Sequence, residues 1–144
     1  MKKILFLIIL SIFLVGCGSN KENVYCPSEI SSESIDQLML LHDAFVDYYN
    51  VAGATGRAYL APPVLAMQEV KQEVSALTVP TCLEVAKDNL IKGMDYNVDG
   101  YLAFMKEEGN IAINEEFENG DKYLELFYDN ISEILDCLPD CSKE

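Results

Sequence analysis

One imidazole and five thiols set the outer limits of the chemistry open to this 144-residue chain: His42, and Cys17, Cys26, Cys82, Cys137 and Cys141. Imidazole is the usual proton carrier near neutral pH and a frequent metal ligand. A single one cannot supply the paired Glu-x-x-His that carboxylate-bridged di-metal bundles need, and Met39 stands three residues before it. His42 falls on the apolar side of a helical pattern, so it reads as a core or rim imidazole with one hydrogen-bond partner. The sharper readings are a pH-sensitive packing switch, or an axial haem ligand opposite Met67 or Met94. C-x-x-C-H, G-x-S-x-G, H-E-x-x-H and P-loop patterns are all missing. Asp88, Glu107, Glu108, Glu115, Glu116 and Glu118 stand where solvated helix faces or caps put them. No catalytic residue, cofactor or metal site is therefore expected, and the chain reads as a non-enzyme.

A second grouping is Asp95-Tyr96-Asn97-Val98-Asp99-Gly100-Tyr101. It resembles the first half of an EF-hand calcium loop, with Asp95, Asn97, Asp99, Gly100 and the Tyr101 carbonyl at the first, third, fifth, sixth and seventh loop positions. The twelfth position should carry a bidentate carboxylate. Here it is Lys106, and Glu107 comes one residue late. Met94, Val98, Tyr101 and Met105 keep helical register straight through the segment. The expectation is a helix with a polar outer face, not a calcium loop.

The start of the chain reads MKKILFLIILSIFLVGC. Lys2 and Lys3 precede an apolar run from Ile4 to Val15 interrupted only by Ser11. Twelve helical residues span about 18 Å, short of a hydrocarbon core of ~30 Å, so the run fits a signal-peptide core rather than a membrane span. Leu14-Val15-Gly16-Cys17 resembles the lipobox of bacterial lipoprotein precursors. That resemblance implies cleavage before Cys17, a diacylglycerol on its thiol and often a further acyl chain on the new amino terminus. It assigns residues 1–16 to a signal peptide and 17–30 to the lipidated cysteine and its tether. The remainder would then be anchored to a membrane through lipid on Cys17 and would face outside the cytoplasm. Two or three acyl chains hold a protein durably where one does not.

Residues 31–144 carry helical spacing and almost no alternating strand pattern. Four segments emerge. The first opens at Ser31 or Ser34, with Ser34 and Gln37 as a capping box, and buries Ile35, Leu38, Met39, His42, Phe45, Val46 and Tyr49. The second begins at Pro62-Pro63 and buries Met67, Val70, Val74 and Leu77. The third is capped by Thr81 with Glu84 and buries Leu83, Ala86, Leu90, Met94, Val98, Tyr101 and Met105. The fourth starts at Asn110 or Asn114, buries Ile113, Phe117, Leu124, Phe127, Ile131, Ile134 and Leu138, and stops before Pro139. The predicted fold is all-α, an antiparallel up-down-up-down four-helix bundle. Gly93, Asn97 and Gly100 share one face of the third helix, a place for a neighbouring helix to come close.

With Cys17 taken by lipid, Cys26, Cys82, Cys137 and Cys141 remain, an even number that fits two disulfides in an exported protein. All four fall at one end of such a bundle. Cys82–Cys137 with Cys26–Cys141 joins neighbouring helix ends, and Cys137–Cys141 as a local loop is the rival. Removing residues 1–16 takes away two of ten basic residues and none of 24 acidic ones, so the formal charge goes from −14 to −16. Such a chain repels nucleic-acid phosphates. It suits a partner of opposite sign, a basic protein or cationic ligand. The alternative function is a small-molecule or metal-ion carrier using the bundle core near His42. Tyr96 and Tyr123 are expected to be exposed.

Overall fold

A computed structural model describes residues 28–137, with side chains described from 32 to 136. Helix accounts for 89% of them and there is no strand among them. The elements are α1 (Ser28–Gly53), α2 (Ala61–Ala76), α3 (Glu84–Met105) and α4 (Asn110–Cys137), with short 3-10 turns at Arg57–Tyr59 and Thr81–Leu83. Four helices pack against one another, as the apolar spacing requires. No described helix is long and apolar enough to cross a membrane. The leader, Cys17, Cys26, Leu138, Pro139 and Cys141 lie outside the described residues.

Two of the expected helix starts are corrected. α1 begins at Ser28, so Ser34 and Gln37 lie inside it and form no capping box at its start. Serine and glutamate cost little in a helix interior, which lets the chain wind before the first apolar residue. Thr81 does not cap α3 either. It sits in the 3-10 turn, where the Leu83 amide donates to the Pro80 carbonyl at 2.8 Å and no side-chain cap bond forms. Glu84 is left in the first turn of α3, where its charge complements the positive end of the helix. α2 starts as expected, with proline in its first turn where the missing N–H has no partner to lose. Its other end is closed by a residue far along the chain. The Lys87 ammonium donates to the carbonyls of Ser75 at 3.0 Å and Leu77 at 2.6 Å.

The end of α3 holds local strain. The Glu107 amide donates to Phe104 and the Glu108 amide to Ala103, the double reverse bond of a Schellman turn. The residue that must turn left-handed there is Glu107, at φ 61°, although a glycine stands two positions on. Its side chain pairs with Arg57, but both groups are substantially exposed and such a pair contributes little. Glu107→Gly is expected to raise stability by about 0.5–1 kcal/mol, because it removes a side chain that disfavours this conformation. A higher urea midpoint at unchanged slope is the measurement.

The core follows the predicted stripes in outline: Met39, Val46, Tyr49, Leu77, Met105, Phe117, Leu124 and Ile134 are only half-buried, and Ala52, Leu60, Val64 and Ala103 join it from outside them. Leu38, Phe45, Leu60, Met67, Val74, Leu83, Leu90, Met94 and Phe127 are all fully buried. α3 runs through the middle and touches the other three helices, α4 most extensively. Along α3 the partners on α4 descend in number: Asn89 bonds Asn130, Asn97 lies on Gly120, and Gly100 lies on Phe117. Between α2 and α3 the same inverse order holds, Lys71 meeting Asp95 and Lys87 meeting Leu77.

Candidate functional site

The two seams flanking α4 are built in opposite ways. Against α3 it uses absence of side chains. A methyl at Gly120 would sit 2.6–2.9 Å from the Asn97 amide, one at Gly93 would sit 2.8 Å from Leu124, and one at Gly100 would sit 2.8 Å from the Phe117 ring. The close approach expected from Gly93 and Gly100 is therefore real, with Gly120 as its counterpart on α4. Asn97 is 1% exposed; its amide nitrogen donates to the Gly93 carbonyl at 2.9 Å and its Oδ1 has no hydrogen-bond partner. Gly120 leaves room for that oxygen, since a β-carbon there would lie 2.9 Å from it.

Against α1, the seam is filled with rings. His42 stacks on Phe127 at 5.8 Å between centroids and meets Tyr128 edge-on at 5.1 Å. The Tyr128 hydroxyl lies 3.0 Å from Nε2, and Nδ1 lies 3.1 Å from Asp43 Oδ1. A carboxylate only accepts, so Nδ1 donates to Asp43; in the neutral ring Nε2 then accepts from the phenol, whose oxygen also lies 3.3 Å from Nδ1. His42 is 4% exposed while Tyr128 is 44% exposed, so the phenol closes the seam over the imidazole. This is the core histidine expected, with two partners rather than one. Both ring nitrogens are occupied, so a metal ion would have to displace Tyr128 or Asp43. Met67 and Met94, considered as haem partners, are fully buried core residues.

One end of the same seam holds Tyr49, Tyr101 and Phe117 in mutual edge-on contact. The Tyr101 hydroxyl donates to the Tyr49 carbonyl at 3.0 Å. Burial, with Tyr49 adding, pushes the Tyr101 phenol up to about 12. Tyr49 and Tyr128 are also raised, by burial first and then by Asp121 and Asp43 respectively. A phenol whose pKa is higher folded than unfolded stabilises fully below its unfolded value of 10.0 and loses that contribution as pH rises through the folded value. Stability is therefore expected to fall between pH 10 and 12, and tyrosinate absorbance should show a late-titrating phenol that Tyr101→Phe removes.

Acidic side chains crowd where α3 gives way to α4. Burial, then Asp99, Glu115 and Glu108, raise the Glu116 carboxyl above its ordinary value. Arg57, the chain's sole arginine, lies 4.6 Å over the Phe104 ring and ties the two connections at this end by reaching Glu107. An open polar groove of about 390 Å³ lies at the opposite end, lined by Ser75, Leu77, Thr78, Glu84, Lys87 and Asp88.

The remaining sequence-derived positions are dispersed or paired. α3 is continuous through 95–101, so no calcium loop forms there. Asp95 is paired with Lys71, Asn97 points into the α4 seam and Asp99 is exposed. Among the described residues no group of three or more His, Cys, Asp or Glu is placed to hold a metal ion. Cys82 is disulfide-bonded. Cys137 is the last residue of α4. Tyr96 and Tyr123 are not exposed as expected. They are half-buried and stacked 5.5 Å apart across the α3–α4 seam, and Lys92 lies 5.5 Å over Tyr123. Among the described residues the exposed tyrosines are Tyr59 at 76%, Tyr128 and Tyr48. The Tyr128–His42 contact was not foreseen. Tyr128 adjoins Phe127 on the edge of the α4 stripe, and that edge position was the available signal. No family model, curated protein or solved structure matches this chain.

Proposed function

We propose that this chain is a lipid-anchored protein outside the cytoplasm, held to a membrane through Cys17, whose up-down-up-down helical bundle binds a basic protein or cationic peptide without catalysing a reaction. The bundle order rests on the inverse pairings of α2 with α3 and α3 with α4. It rests also on α1 against α4, where His42 meets Tyr128 and Tyr49 meets Phe117. The disulfide at Cys82 supports export, since such bonds persist in oxidising compartments. The lipobox-like Leu14-Val15-Gly16-Cys17 supports the anchor.

The observation that carries the binding role is an excess of negative charge, which the pairs of Glu107 with Arg57 and Glu108 with Lys106 offset only in part. Asp99, Glu115 and Glu108 lie close enough to Glu116 to help raise its carboxyl above its ordinary value, on a chain of formal charge −14. Such a surface concentrates cations and steers them to contact. Polylysine should bind the purified chain at low salt and release on raising ionic strength, because exposed charge is screened within about 10 Å at 0.1 M. Affinity unchanged by salt defeats the binding role. An alkyne-bearing fatty acid fed to expressing bacteria should label the protein and not its Cys17→Ser variant. Equal labelling of both defeats the anchor.

A further inference from the structure

We propose that the disulfide at Cys82 is made with Cys137, so that the start of α3 is bonded to the end of α4. Cys82 is disulfide-bonded, and the 3-10 turn that carries it packs against α4 as well as against α3. The register of the α3–α4 seam then selects the partner. Asn89 bonds Asn130, Tyr96 stacks on Tyr123, Asn97 lies on Gly120 and Gly100 lies on Phe117. Each step forward along α3 is thus matched by a step backward along α4. Seven residues back from Asn89 is Cys82, and seven residues forward from Asn130 is Cys137.

The distances agree with the counting. An α-helix rises 1.5 Å per residue and a 3-10 turn about 2.0 Å, so the path from Asn89 to Cys82 exceeds that from Asn130 to Cys137 by about 1 Å. A disulfide needs its two α-carbons about 4.4–6.8 Å apart, a tolerance that absorbs this difference. Cys141 comes four residues after Cys137, out of that matched count, and lies outside the described residues. Cys26 precedes α1, whereas the turn bearing Cys82 makes its main contacts with α3 and α4. Closing the bridge removes two protons and two electrons from the two thiols. A disulfide-bearing exchange partner outside the cytoplasm accepts both and is itself reduced to a dithiol.

Peptide mapping tests the pairing without any variant. The full-length chain is purified without reductant, its free thiols are alkylated, and it is unfolded in urea at mildly acidic pH to suppress exchange. It is then cut by a protease that cleaves before aspartate. Asp136 and Asp140 place Cys137 and Cys141 in different fragments, residues 136–139 and 140–144, and Cys82 in residues 47–87. The expected result is a reducible species joining 47–87 to 136–139. Linkage of 47–87 to 140–144 or to the fragment containing Cys26 overturns the proposal, as does alkylated Cys82. As a second measurement, Cys137→Ser should make Cys82 alkylatable in the purified chain, while Cys141→Ser should leave it blocked. The reverse pattern overturns the pairing.

Discussion

Gly120→Ala is expected to lower unfolding free energy by about 2–3 kcal/mol, although alanine is the better helix former by about 1 kcal/mol. The added methyl would lie 2.6–2.9 Å from three atoms of the Asn97 amide. Asn97 is 1% exposed and bonded to the Gly93 carbonyl, so it has no room to swing away. α4 must therefore move off α3, and the contact of Leu124 with Gly93 and of Phe117 with Gly100 loosens with it. Gly109→Ala is the control, because a methyl there meets nothing within 4 Å. The double variant Asn97→Ala/Gly120→Ala should recover most of the loss. Asn97→Ala alone should change stability by less than about 1 kcal/mol, since it removes a buried oxygen that has no partner together with the bond to Gly93. Urea unfolding of the four chains gives the interaction term directly. Equal stability of Gly120→Ala and the parent would mean that the seam is not close-packed.

Cys82→Ser is expected to cost still more, about 4 kcal/mol, if its partner is Cys137. Cross-linking those positions closes a loop of more than fifty residues in the unfolded chain, and the entropy removed scales with the logarithm of that length. The folded molecule has a second stake in the bond, because Leu83 beside it is fully buried and the turn packs on α4. Thermal unfolding with and without a reductant reads the effect on the unaltered chain. A reductant-induced drop in Tm that Cys82→Ser abolishes identifies this bond as its source, whereas a drop of the same size in the variant assigns it elsewhere.

Much of the architecture was legible in the sequence because apolar spacing is a local signal. Leu38, His42 and Phe45 on α1, or Leu90, Met94, Val98 and Tyr101 on α3, declare a buried stripe within one element. The persistence of that stripe through Asp95–Tyr101 correctly argued for a helix. The helix starts were less legible. Ser34 with Gln37 and Thr81 with Glu84 both carry the capping-box pattern, yet one lies inside α1 and the other in a 3-10 turn. A cap depends on where the chain enters the helix, and the preceding residues decide that. Pairings between elements were the least legible. Nothing in the order of residues says that Tyr128 meets His42, that Lys87 closes α2, or that Tyr96 and Tyr123 hide each other. Gly93 and Gly100 announced a close neighbour, but Gly120 became its other half only when the two helices were laid side by side.

The contrast between the seams of α4 also fixes how the molecule yields. Where α3 and α4 meet, backbone lies against side chain with no slack. Between α1 and α4 the filling is rings, one pair stacked and the others edge-on, with the Tyr128 hydroxyl set on His42. Drawing α4 away from α3 therefore disturbs three tight glycine contacts at once, whereas drawing it away from α1 breaks ring contacts and the Tyr128–His42 hydrogen bond.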